Sequence, residues 1–137
     1  VQPIDWDAKE MELNSGKIDC IWNGMSVNDD RLAAMFIAKP YIGNRQIIIV
    51  PGDSDIKTIA DLKDKVIGLQ KGSSALDALN ANEIAKDVKE VVEYPENVSA
   101  FMDLKAGRVD AFVVDEVVGK YIITNDAQTA EDGSAAK

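Results

Sequence analysis

The 137-residue chain has no histidine and only one cysteine. Without imidazole it lacks the usual general base and the usual metal ligand at neutral pH. A lone Cys20 excludes an internal disulfide, and its place in an apolar run reads as a small core hydrophobe. Cys/His metal spacing is absent. Aromatic residues make up 6% of the chain, with tryptophan only at positions 6 and 22. No apolar run approaches the roughly 20 residues of a membrane-spanning helix. Basic residues are in deficit, 15 against 24 acidic ones, for a net charge of −9. That balance excludes nucleic acid as a partner, because its phosphates would be repelled. No secretory signal is visible, and Val1 opens in mid-pattern without a Met. The chain is therefore expected to be a piece of a longer protein.

Apolar residues make up 46% of the chain, enough for one modest core. Apolar, β-branched runs predict strands at 1–4, 18–22, 46–50, 66–70, 90–94 and 111–114. Between them, Asp7 with Glu10 three residues on has capping-box spacing, for a helix closed by Gly16. Further helical segments are expected at 32–36, 58–62, from Ser73 or Ser74 to about 82, at 97–106 and at 116–123. Pro40 makes 39–42 extended, and Pro51-Gly52 stops the strand before it. Residues 125–137 are small and polar and read as a tail or linker. Strands alternating with helices predict an α/β fold with a largely parallel sheet.

One stretch occurs twice. Leu13-Asn14-Ser15-Gly16-Lys17-Ile18-Asp19-Cys20-Ile21 and Leu104-Lys105-Ala106-Gly107-Arg108-Val109-Asp110-Ala111-Phe112 share a Leu-x-x-Gly-basic-β-branched-Asp-small-apolar pattern. Each reads as a helix end, a glycine cap and the start of a buried strand. The repeat predicts equivalent units from two similar lobes. In open α/β sheets ligands sit beyond the carboxyl ends of strands, so two such ends facing each other make a cleft.

Polar groups follow those strand ends. Gly24 permits close approach of a ligand to the backbone, Ser26 offers a hydroxyl, and Arg31 offers a fork that matches a carboxylate. Lys71-Gly72-Ser73-Ser74 opens a helix, where free N–H groups favour an anion; plain capping by serine is the competing reading. The phosphate-loop pattern is missing there, so a small carboxylate fits better. Asp115 ends an apolar strand and reads either as a helix cap or as the counter-charge of an ammonium. Trp22 and Asn23 point to opposite faces, so at most one of them faces the cleft. The serines lack a histidine and a Gly-x-Ser-x-Gly elbow, and are not read as nucleophiles.

Gly24-Met25-Ser26-Val27-Asn28-Asp29-Asp30-Arg31 resembles the Gly-x-[ST]-x-[TN]-x-x-Arg signature of the polar amino-acid-binding proteins of bacterial ABC importers. Gln70-Lys71-Gly72-Ser73-Ser74 is similar to their second Gly-[ST] loop. Arg108-Val109-Asp110-Ala111-Phe112-Val113-Val114-Asp115 is similar to their Arg-x-Asp-Ala-x-x-x-Asp pattern. The resemblance covers residues 1–124. It implies a type II periplasmic-binding-protein fold, two similar α/β lobes joined by a hinge. Here an incomplete first lobe (1–42) would precede most of the second (43–124), with the hinge near 41–46 and a tail at 125–137.

The resemblance also implies a function: extracytoplasmic binding of a polar α-amino acid, periplasmic or at the cell surface, for delivery to a permease, without a cofactor or catalysis. The ligand carboxylate would meet Arg31 and the amides near Ser73 and Ser74, with Gln70 in the same loop. The ammonium would meet Asp115, the Gly24 carbonyl and Ser26. Trp6 would pack along the ligand side chain, and Asn23 would read its polar end. Two other functions remain open, an enzyme on this scaffold of the cyclohexadienyl-dehydratase type and an amino-acid-sensing domain of a receptor or regulator. The incomplete first lobe is expected to be covered by self-association or by a complementing chain.

Overall fold

The computed structural model describes residues 1–130. Four strands form one sheet: β1 (Gln46–Ile49), β2 (Val66–Gln70), β3 (Glu90–Tyr94) and β4 (Ala111–Asp115). Their spatial order is β1-β4-β2-β3, with β2 parallel to both neighbours and β1 antiparallel to β4. The helices are α1 (Lys9–Asn14), α2 (Asp29–Ala34), α3 (Ser74–Asn80), α4 (Asn97–Lys105) and α5 (Glu116–Ala130). Short 3-10 turns occupy Trp6–Ala8, Ile59–Leu62 and Glu83–Lys86.

The central strands are apolar throughout because both faces of the sheet are covered. Successive side chains of β4 point to opposite faces. Ala111 and Val113 join Ile67, Leu69, Ala75 and Leu79 on the α3 side. Phe112 and Val114 join Ile49, Ala100, Phe101 and Leu104 on the α4 side, where α5 adds Val118 and Ile122. Polar residues start the helices as their side-chain chemistry requires. Asn28 accepts from the Arg31 N–H at 2.9 Å, Ser73 from the Ala75 N–H at 3.3 Å, and Thr58 forms a capping box with Asp61.

The first 45 residues depart from expectation. Residues 1–4 and 18–22 form no strand, Cys20 is exposed rather than in a core, and Trp22 is 91% exposed. The sequence repeat shows why. The two helix ends are copies: Gly16 and Gly107 have φ of 75° and 73°. Each donates to the carbonyl of the leucine three residues back, at 3.1 Å in both cases. Lys17 and Arg108 then donate backbone N–H groups to Glu12 and Asp103, and each pairs with the same acid through its side chain. Beyond the basic residue the copies diverge. The Asp110 N–H donates to the Val66 carbonyl at 2.8 Å, and its carboxylate accepts from the Val66 N–H at 2.8 Å. That double link registers β4 against β2. No described strand lies beside Asp19, so its segment has nothing to pair with and stays irregular.

Smaller differences follow the same local logic. Asp5, not Asp7, caps the first turn, accepting from the Asp7 N–H at 3.0 Å. Asp7 is turned instead to Lys71, 2.9 Å away. Helix α5 runs to Ala130, past the expected end at 123, and residues 131–137 of the expected tail lie outside the described residues.

That Asp7–Lys71 pair marks where the irregular N-terminal region docks on the loop after β2. Gly72 has φ of 69°, and a Cβ there would lie 2.9 Å from the Asp7 carboxylate oxygen and 3.0 Å from the Asp7 Cα. Only glycine fits, because a side chain would meet both a left-handed backbone and a neighbouring main chain.

Two measurements test this account. Asp110→Ala should cost about 1–3 kcal/mol in urea denaturation, because it leaves the partly buried Val66 N–H unpaired, whereas Asp19→Ala should change stability by less than about 0.5 kcal/mol. Equal effects would refute the divergence of the two copies. Gly72→Ala should lower stability by at least about 1–2 kcal/mol and red-shift Trp6 emission in a Trp22→Phe background as the docked segment is displaced. An unchanged melt and spectrum would show that the contact yields without cost.

Candidate functional site

Arg31 sits in α2 with its backbone N–H tied to Asn28, and its guanidinium is driven inward until the residue is only 6% exposed. Nη1 donates to the Ser26 carbonyl at 2.7 Å and to the Ser74 hydroxyl at 3.1 Å. Nη2 donates to the Gly72 carbonyl at 3.3 Å. Every one of these acceptors is neutral. Among the described residues no carboxylate pairs with Arg31, and its Nε–H makes no hydrogen bond. A buried cation without a counter-charge is costly, so the arrangement favours an incoming anion.

Asp115 stands at the carboxyl end of β4, across from Gln46 of β1 in the antiparallel register. Its Oδ1 accepts from Gln46 Nε2 at 2.5 Å and from Asn44 Nδ2 at 2.8 Å. The same Asn44 nitrogen lies 3.5 Å from the Ser26 hydroxyl. Ser26 therefore connects the two ends of the site, with its carbonyl on the cation and its hydroxyl toward the group that holds the carboxylate. The amide oxygens of Asn44 and Gln46 are buried without a donor. Between them, Arg45 forks onto Glu116 at 2.8 and 3.1 Å. Hydrogen bonds from Arg45 and then Lys120 hold the Glu116 carboxyl down to about 2.

A hollow of about 350 Å³ opens beside this network, lined by Asn23, Gly24, Ser26 and Asn44, with Pro40 and Tyr41 on its rim. The Tyr41 hydroxyl donates to the Asn23 carbonyl at 2.9 Å. Trp6 is half-buried and lines a second hollow that also reaches Asn23. The fold thus brings Ser26, Arg31 and Ser74 into direct contact and joins Ser26 to Asp115 through Asn44.

Two expected residues have other partners. Ser73 uses its hydroxyl on the Gln70 carbonyl, at 2.7 Å, and on the α3 cap. Gln70 bonds Pro95 and Asn97 on the far side of the loop, at 3.1 and 3.0 Å.

The residues that sequence reasoning missed are Lys9, Asn44 and Gln46. Lys9 is 5% exposed, with its ammonium 4.9 Å from the Trp6 ring centre. It donates to the carbonyls of Trp6 at 3.2 Å and Gly72 at 3.1 Å. Burial, and then the Arg31 charge, draw its pKa below the ordinary lysine value. A lysine three residues after a tryptophan was the available signal, since such a pair shares one helical face. Gln46 was legible only from strand register, and Asn44 left no signal in the sequence.

Comparison with known proteins identifies the family. The model of the bacterial extracellular solute-binding proteins, family 3, matches residues 1–94. The L-cystine-binding protein TcyJ of Escherichia coli is 31% identical over 130 residues, 92% of this chain and 48% of that protein. The L-arginine-binding protein of Pseudomonas aeruginosa is 36% identical over 114 residues, 82% of this chain and 44% of that protein. Among solved structures, an ancestral arginine-binding protein bound to arginine superposes with a TM-score of 0.83 at 35% identity, covering 91% of this chain and 55% of its own. A substrate-binding protein of an ABC uptake transporter from Streptococcus pneumoniae, with bound histidine, gives 0.82 at 38% identity, covering 96% and 53%. The chain spans about half the length of the curated relatives it matches. Those neighbours have the type II periplasmic-binding-protein fold, and the family and the relatives named here are binding proteins. By these matches the chain belongs to the bacterial extracellular solute-binding proteins, family 3.

Proposed function

We propose that this chain carries most of the head-group site for a polar α-amino acid, which the protein delivers, outside the cytoplasm, to an ABC importer permease. One observation carries the reading. Ser26 lies between a buried guanidinium without a counter-charge and a carboxylate held in place by two amides. A zwitterion has the matching pair of charges, with its carboxylate toward Arg31 and its ammonium toward Asp115. Ser74 stands ready at the carboxylate end, and Gly24 lines the adjoining hollow. Trp6 and Asn23 face the second hollow and are assigned to the ligand side chain. Gln70 and Ser73 shape the loop from behind. Binding rather than turnover fits a site without histidine, in which the acid and the base are already matched to a zwitterion.

In this reading residues 1–42 belong to one lobe and 43–124 to the other. Residues 41–46 are the crossing, and the ligand closes the cleft. The exposed Trp22 and Phe36 are then surfaces that a second copy or another polypeptide segment covers.

Titration calorimetry on the full gene product tests the site. Arg31→Ala should cost roughly 2–5 kcal/mol of binding, the range for truncating one partner of a buried charge pair, and Arg31→Lys should not restore it, because the fork is lost. Asp115→Asn should weaken amino acids far more than the corresponding deaminated acids. Wild-type affinity in the Arg31 variants removes the carboxylate role, and equal loss for both ligand types in Asp115→Asn removes the ammonium role.

A further inference from the structure

Lys9 adds a charge for which the head-group pairing has no use. Its ammonium and the Arg31 guanidinium donate to the same oxygen, the Gly72 carbonyl, at 3.1 and 3.3 Å. Both side chains are buried, at 5% and 6% exposure. The acids nearest Lys9 on its own segment are Asp7 and Glu10. Asp7 is committed to Lys71 at 2.9 Å, and Glu10 forms no ion pair with Lys9. The charges can then be counted. A bound zwitterion sets its carboxylate against Arg31 and its ammonium against Asp115, which leaves Lys9 without a directly paired carboxylate among the described residues.

We propose that Lys9 is a specificity-determining residue of this site, and that it selects amino acids with neutral or acidic side chains against those with cationic ones. The inference rests on the amino-acid reading above and goes further by naming the ligand class. The physical ground is distance and burial. Lys9 and Arg31 lie two hydrogen bonds apart through one oxygen. A ligand carboxylate anchored on Arg31 therefore lies within about one Debye length, ~8–10 Å, of the Lys9 ammonium. Buried charges at that range are poorly screened, and the interaction is worth about tenfold or more in affinity. The Trp6 ring transmits the same preference. Lys9 already occupies its π system at 4.9 Å, so a ligand cation would compete with it there.

The test is a competition among glutamate, glutamine and arginine, read by calorimetry on the full gene product. The wild type should bind glutamine or glutamate more tightly than arginine. Lys9→Met should raise the arginine-to-glutamine affinity ratio about tenfold, and Lys9→Arg should leave it within about twofold. If Lys9→Met fails to give a folded protein by thermal melting, Lys9→Gln takes its place with the same expected shift. A wild type that prefers arginine overturns the inference, as does a ratio unchanged in the charge-removing variants, and both leave the amino-acid reading standing. A wild type that binds no amino acid at all overturns that reading and this inference together.

Discussion

The arrangement depends on satisfying one buried guanidinium. Arg31 reaches a carbonyl in its own loop, a hydroxyl at the start of α3 and a carbonyl of the loop after β2. These three acceptors come from parts of the chain more than 40 residues apart in two cases. Holding them around one planar group requires the irregular N-terminal region to lie close against the sheet domain. Gly72 makes that approach sterically possible, and Lys9 and the Asp7–Lys71 pair reinforce it. With neutral acceptors only, the charge keeps an unmet preference for an anion, and that is the physical ground of the proposed site.

A second constraint works from the other end. Asn44, Arg45 and Gln46 are consecutive, and all three bond the corner between β4 and α5. Alternation along an extended segment puts the first and third on Asp115 and the middle one on Glu116. The segment that crosses from the irregular region into the sheet is thus fastened at the Asp115 carboxylate. Asp115 is held by side chains from β1 and its approach, so its aim does not depend on the ligand. Preorganisation of that kind lowers the cost of binding.

The repeated stretch separates local from non-local determinants. The helix end, the left-handed glycine and the paired acid and base appear identically at Gly16 and Gly107. Everything in that motif is satisfied within six residues. The strand that should follow needs a neighbour, and among the described residues only the second copy has one. A segment with the pattern of a buried strand is therefore an exposed, irregular one in this chain, and its cysteine and tryptophan are exposed with it.

What the sequence alone determined is what short-range chemistry controls. The four strands of the sheet, the helices between them, their polar caps and the left-handed glycines were legible from apolar period and residue type. Ser26, Arg31, Ser74 and Asp115 stood out together only through the motifs they share with the solute-binding family. The tertiary structure decided which of the polar groups meet. Gln46 faces Asp115 only through antiparallel register, and Asn44 reaches it only because the crossing folds back. Lys9 is a surface-type residue in a charged helix, and it becomes a buried cation only because the loop at Gly72 closes over it. Burial and partnership are properties of the assembled fold, since they depend on what lies opposite a side chain and not on what precedes it.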